Sequence, residues 1–173
     1  MRATSKHDLQ HAEYPNTIFS QMTFHALSQE KCDNDIYPQK KQLIMTQGMQ
    51  TSLVRSFSQS DFNEFASLSG DNNPIHTDAE FAAQSRFGRP VAHGLLLCGV
   101  LRGLIDKVVP GGRLKEQSVN FLAPTYAGEI MRFIVTVKRR SQGPQGALLD
   151  FDMEVIRVYD GVITCQGHGK VVV

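Results

Sequence analysis

The run from Val91 to Val109 constrains this chain more than any other feature: it is the most apolar stretch, and Pro110-Gly111-Gly112 closes it. Proline and paired glycine stop a helix sharply, so the run reads as one helix, apolar on every side. Such a helix must be covered all round, by lipid or by protein. Lipid fails on length, because only eight uncharged residues separate His93 from Arg102, against the roughly 20 that span a bilayer. Arg102, Asp106 and Lys107 would also have to enter the hydrocarbon. The Gly99-x-x-x-Gly103 spacing signals dimerisation in a membrane; here it offers a smooth surface for close packing. The expectation is a helix buried in a soluble protein, with no membrane span.

The residues that follow supply the cover. Met131, Phe133, Val135 and Val137 alternate with Arg132, Ile134, Thr136 and Lys138. Leu149, Phe151, Met153 and Val155 alternate in the same way with Asp150, Asp152 and Glu154. Ser141-Gln142-Gly143-Pro144 and Asp160-Gly161 mark turns, and a slip of phase at Ile156–Val158 predicts a bulge. A last strand sets Ile163, Cys165 and Val171 against Thr164, Gln166, His168 and Lys170. With Arg113–Ala123, at least four antiparallel strands follow the helix. The fold class expected is α+β, a long central helix wrapped by a curved antiparallel sheet.

Upstream, Thr51–Phe57 reads as a short strand. Ser58 or Ser60 then caps a helix with Asp61 and Glu64 near its positive end and Phe62, Phe65 and Leu68 on one face. Gly70 ends it in a left-handed conformation. Thr77 or Asp78 caps a short helix through Phe81 and Ala82 toward Phe87, broken by Gly88 and Pro90. All 14 glycines lie at or after Gly48, which puts the turn chemistry, and the folded machinery, there. Residues 1–48 are expected to form an extension with partial helix and no assigned role, and residues 49–173 the domain.

Charge and cysteine usage bound the function. With 18 basic and 17 acidic residues the net charge is +1, which argues against a protein built to neutralise nucleic-acid phosphates. Cys32, Cys98 and Cys165 are odd in number and widely spaced, neither a disulfide framework nor a structural zinc site. The N-terminus has no apolar core of a secretory signal, and Asp8, Glu13 and Glu30 do not suit a transit peptide. A cytoplasmic location is expected, with the mitochondrial matrix or another organelle left open.

Ser69-Gly70-Asp71-Asn72-Asn73-Pro74-Ile75-His76 sets a carboxylate, a carboxamide and an imidazole within one turn. Pro74 fixes a backbone angle and biases Asn73 away from helix, so these side chains are held. A carboxylate and a histidine converging on one water form an acid–base pair near neutral pH. Gly94, opening the buried helix, can aim its N–H at a developing oxyanion. The plain alternative is an ordinary turn with His76 bonded to backbone. An EF-hand fails, since Ile75 and His76 stand where a ligand and a glycine are needed. A metal held by Asp71, His76, Asp78 and His93 has no recognised ligand spacing and ranks below acid–base chemistry. Lys138-Arg139-Arg140 reads as a solvated strand-end cluster.

One larger pattern contains that turn. Phe62-x-x-Phe65-x-x-x-Ser69-Gly70-Asp71-x-Asn73-Pro74-Ile75-His76-x-Asp78, followed by Ala82, Phe87 and Pro90-Val91-Ala92-His93-Gly94, resembles the signature of the MaoC-like (R)-specific enoyl-CoA hydratases. Val119-Asn120-Phe121-Leu122-Ala123-Pro124, leading to Gly128-Glu129, resembles the strand and turn after the central helix in the same hot-dog family. The resemblance covers about residues 51–173 and leaves residues 1–48 without a counterpart. It implies a hot-dog fold, a homodimer or higher homo-oligomer of dimers, and a substrate tunnel near the interface. It also implies that Asp71 and His76 are the catalytic pair, adding water across a trans-2-enoyl thioester. Asn73 would orient the water or product hydroxyl, Gly94 N–H would bind the thioester oxygen, and Ser69 and His93 would support them. No metal or cofactor is implied; coenzyme A or an acyl-carrier protein enters as part of the substrate. A carrier-protein dehydratase and a non-catalytic acyl-binding subunit are the alternatives.

Overall fold

The computed structural model describes residues 22–25, 46–144 and 146–173. In chain order the elements are β1 (Met22–His25), β2 (Gln50–Ser56), α1 (Gln59–Ser69), α2 (Pro74–Thr77), α3 (Ala79–Ala83) and α4 (Gly94–Val108). Then come β3 (Arg113–Phe121), β4 (Ile130–Gly143), β5 (Gly146–Arg157) and β6 (Ile163–Val172). The strands form one sheet in the order β1-β3-β6-β5-β4-β2, every neighbouring pair antiparallel.

The period-two patterns place the core. Met131, Phe133, Val135 and Val137 of β4 and Leu149, Phe151, Met153 and Val155 of β5 are all buried. They form one cluster with Leu97, Leu101, Leu104 and Ile105 of α4. The sheet thus curves over the helix, and each of these side chains contributes about 1.5–3 kcal/mol through its burial. The sheet packs closely at Gly167, where a Cβ would collide with the Ser118 carbonyl oxygen, so only glycine fits. The slip expected near Ile156 is present as a register shift between Val155 and Ile156.

Several expectations need correction. The central helix begins at Gly94, not Val91. Val91 is extended and bridges Tyr126, and His93 at the cap has φ −60° and ψ 133°, so Val91 and Ala92 are apolar without being helical. Nor is α4 covered all round, since Leu95 is 39% exposed and Gly99 and Gly103 are open on the same side. Leu68 is exposed too: α1 buries Phe62 and Ala66, four residues apart, and Leu68 falls on the opposite face. Thr164 is buried rather than outward, its hydroxyl donating to the Val155 carbonyl oxygen at 3.3 Å. Pro74–Thr77 forms a helical turn of its own.

Lys138 and Arg139 are exposed and paired with Asp152 and Asp150 within β4 and β5, not clustered at a strand end. Residues 22–25, expected in an extension with partial helix, supply β1 at the edge of the sheet, paired with β3. The rest of that extension through residue 45 lies outside the described residues, as does Cys32. Among the described residues no helix is long and apolar enough to cross a membrane.

Candidate active site

The site is assembled from residues 58–94, the segment that runs from the cap of α1 to the first residue of α4. Ser58 caps α1 by accepting the Asp61 N–H at 3.2 Å, and Asp61 returns a bond to the Ser58 N–H at 2.7 Å. This reciprocal pair fixes where the helix starts. Its end is fixed by Gly70 in the left-handed region at φ +78°, whose N–H donates to the Ala66 carbonyl at 2.9 Å. Ser69 Oγ donates back to the Phe65 carbonyl at 2.6 Å and accepts the Asp71 N–H at 3.2 Å. Asp71 Oδ1 in turn accepts the Asn73 N–H at 3.4 Å, and Asn73 Oδ1 caps α2 by accepting the Ile75 N–H at 3.1 Å. One lone pair of the Asn73 oxygen is thereby used, which leaves its second lone pair and Nδ2 for a water or hydroxyl.

His76 is held from two sides. Its Nδ1 lies 2.8 Å from the Val91 carbonyl oxygen. A carbonyl only accepts, so Nδ1 carries the proton and neutral His76 keeps a bare Nε2. Gln59 Nε2 donates to the His76 backbone carbonyl at 2.8 Å. The bare Nε2 faces Asp71 Oδ2 at 4.0 Å, too far for a direct hydrogen bond and a span that one water bridges. Burial pushes the His76 imidazole below its ordinary 6.5, with His93 adding to that, while the Val91 bond and Asp71 oppose it. His76 is therefore neutral at pH 7 and available as a base.

His93 is fully buried and stacks on His76, ring centroids 3.8 Å apart and planes at 25°. Phe65 covers its flank at 4.9 Å. His93 Nε2 donates to the Asp71 backbone carbonyl at 3.0 Å, tying the loop down from below. One donor atom each from Asp71, His76 and His93 falls within 4.8 Å of the others. Stacked imidazoles, however, hold their ring-plane lone pairs nearly parallel rather than converging, which suits proton transfer better than chelation. Asp78, the fourth residue of that metal candidate, instead caps α3 by accepting the Glu80 and Phe81 N–H groups.

Gly94 is the first residue of α4, where an amide has no acceptor within the helix. α1, α2 and α3 are each capped by a side chain, and α4 has no side-chain cap bond. A Cβ at Gly94 would lie 2.5 Å from Phe121 Cζ, so the ring and the helix end meet in direct contact. The structure thus brings Asp71, His76, His93 and Ser69 together and sets Gly94 at the adjoining helix start. Phe121 stood in the sequence pattern without a role. Glu129, which is buried and bonds Arg157 at 3.1 Å, likewise stood in the pattern at Gly128-Glu129 without a role, whereas Gln59 gave no local signal because its partner lies far along the chain.

Comparison with known proteins agrees with this architecture. The family model described as "MaoC like domain" matches residues 39–156. The 3-hydroxybutyryl-CoA dehydratase of Methylorubrum extorquens is 38% identical over 92 residues, 52% of this chain and 59% of that protein. The (R)-specific enoyl-CoA hydratase of Aeromonas caviae is 38% identical over 84 residues, 47% of this chain and 63% of that protein. The chain thus spans about three fifths of the length of these curated relatives. In three dimensions it superimposes on the (R)-hydratase from A. caviae involved in PHA biosynthesis with a TM-score of 0.68 and 27% identity, covering 75% of this chain and 98% of that one. The sheet wrapped over α4, the turn that carries Asp71 and His76, and these matches lead to one assignment: the chain belongs to the MaoC-like domain family and has its hot-dog fold.

Proposed function

We propose that the protein catalyses reversible hydration of a trans-2-enoyl thioester, of coenzyme A, to the (R)-3-hydroxyacyl thioester. The observation that carries this reading is the bare His76 Nε2 facing Asp71 Oδ2 at 4.0 Å, with Gly94 N–H at the adjoining helix start. Water bound between the two groups loses a proton as its oxygen bonds to C3. The C2=C3 π pair moves toward the thioester oxygen, where the Gly94 N–H and the α4 dipole stabilise the enolate-like charge. A proton then returns to C2, so hydroxyl and hydrogen have added and the Asp71–His76 pair ends as it began. Asn73 orients the water or product hydroxyl, and Ser69 and His93 hold the loop. This addition needs neither metal nor redox group; the thioester carrier arrives with the substrate.

A homodimer, or a higher homo-oligomer of dimers, fits this chemistry. In the single chain the Asp71 side chain is half exposed and one side of α4 is open, whereas the reaction profits from a site shut off from bulk water. A cytoplasmic setting is consistent with Cys98 and Cys165 as free, buried thiols, that of Cys98 pushed up to about 11 by burial. Residues 49–173 carry the catalytic site in this reading, and the residues before them contribute β1 (Met22–His25) to the edge of the sheet.

The test is loss of enoyl absorbance when purified protein meets crotonyl-CoA and longer enoyl-CoAs. Asp71→Asn and His76→Ala should each remove the activity while circular dichroism stays unchanged. Full rates in both variants would overturn the site. A protein active only on carrier-protein thioesters would be the dehydratase of that substrate class, and one inert on both would be an acyl-binding subunit.

A further inference from the structure

We propose that Glu129 is a positioning residue for His76, acting through the turn that aims the Val91 carbonyl at His76 Nδ1. The inference rests on His76 being catalytic. The Glu129 side chain is 8% exposed and sits between β3 and β4. Its Oε2 accepts the Tyr126 N–H at 2.9 Å, and its own N–H donates to the Tyr126 carbonyl at 3.3 Å, closing a turn on itself. Its Oε1 accepts from Arg157 Nη1 at 3.1 Å and from Arg89 Nη2 at 3.4 Å.

Tyr126 carries this order to the catalytic segment. It forms an antiparallel bridge with Val91, and the Ala92 N–H donates to the Thr125 carbonyl at 2.8 Å. The Val91 N–H reaches back to the Ile75 carbonyl at 3.2 Å, next to His76. The Tyr126 hydroxyl donates to the Phe87 carbonyl at 3.1 Å, and the Arg89 guanidinium lies 4.0 Å from the Tyr126 ring centroid. Every step from Glu129 to the Val91 oxygen is therefore a defined contact. That oxygen alone decides which His76 nitrogen keeps the proton.

A residue buried only for stability would not move the properties of His76; a positioning residue must. The charged and titratable groups facing His76 are Asp71 and His93, and those facing Glu129 are Arg89 and Arg157, the latter also 3.3 Å from Asp160. None of these is altered in Glu129→Gln, which keeps the shape of the side chain and puts an amide where one carboxylate oxygen was.

The experiment is histidine-selective 15N NMR of the full chain beside steady-state rates. In Glu129→Gln the His76 Nδ1–H resonance should shift or broaden. Its titration midpoint should fall, because a bond that favours the protonated ring is weakened. kcat should drop on the order of 10- to 100-fold with KM little changed, as expected of a misplaced rather than missing group. Glu129→Asp, which keeps the charge, should lie between the variant and wild type. Val137→Ala, a core truncation about 20 Å along β4 from this turn, should lower Tm without moving His76. An unmoved His76 resonance, midpoint and kcat in Glu129→Gln would overturn the proposal. If that variant does not fold, Glu129→Asp must show the same shifts on a smaller scale, and their absence overturns it equally. Wild type inert on every thioester would instead refute the hydratase reading, while the NMR result still decides the positioning.

Discussion

Adding a single methyl group at Gly94 tests the steric and the electronic parts of the site separately. Alanine keeps the backbone N–H proposed to hold the thioester oxygen, so any effect must come from volume. The new Cβ would lie 2.5, 2.7 and 2.9 Å from Cζ, Cε2 and Cε1 of Phe121. Carbon atoms rest at about 3.5–4.0 Å, so the ring and the helix start must part by about 1 Å. Phe121 has little room to yield, being 7% exposed at the end of β3 and paired with Cys165 of β6. Overpacking of this kind costs about 1–3 kcal/mol, which a domain with about 5–15 kcal/mol of stability survives. A displacement of about 1 Å at a group that must meet a developing charge lowers kcat on the order of 100-fold. Urea unfolding and the enoyl absorbance assay read the two effects independently. Phe121→Leu in the same chain should return space, leaving the double variant more stable than the sum of the singles by about 0.5–3 kcal/mol. Gly94→Ala with wild-type stability and wild-type kcat would refute the argument that this helix end is sterically set.

Other outcomes follow from the same geometry. His76 is held below its ordinary 6.5 chiefly by burial, so kcat/KM should stay flat through pH 6.5 and fall only on further acidification. A rate profile that bends at or above 6.5 would contradict this. Stability shares the sign: between the lowered folded value and 6.5 the unfolded chain binds more protons, so stability falls as pH drops through that window. In His76→Gln that part of the acid dependence should vanish from unfolding curves. Ser58→Ala removes the hydroxyl that accepts the Asp61 N–H, leaves the Ser58 backbone N–H on Asp61, and should cost about 0.5–2 kcal/mol by denaturant titration, with kcat affected less than by Gly94→Ala.

Much of this was legible from residue order because its causes are local. A serine cap at 58 or 60, which the structure resolves to Ser58, the left-handed Gly70 and the alternation in β4 and β5 depend on neighbours within a few positions. The Asp71–His76 turn is readable for the same reason, since Pro74 and the two asparagines leave its backbone few options. What pattern cannot show is which apolar residues find a partner. Val91 and Ala92 look like helix and are extended because Tyr126 and Thr125 compete for their backbone. Leu68 looks like core and is bare because α1 rests on Phe62 and Ala66. The lone pair left on His76 Nε2 is equally invisible in one dimension, for it is decided by a carbonyl 15 residues away. Glu129 and Arg157 lie 28 residues apart and leave no periodic trace.

The manner in which the segment bearing the candidate site is attached has a consequence for motion. Residues 58–93 are knit together internally by Gln59 to His76, His93 to Asp71 and Val91 to Ile75. They are moored to the chain after β3 by the Ala92 N–H on Thr125 and the Val91–Tyr126 bridge, and the preceding residue Phe57 accepts the Gly128 N–H. The strands, by contrast, are laced together along nearly their whole lengths. Amide hydrogens in this segment should therefore exchange with solvent through a local opening, at lower free energy than those of β5 and β6. Such an opening would part His76 from the Val91 carbonyl while the sheet stays folded. Activity on warming would then fade before the melting signal of the sheet begins.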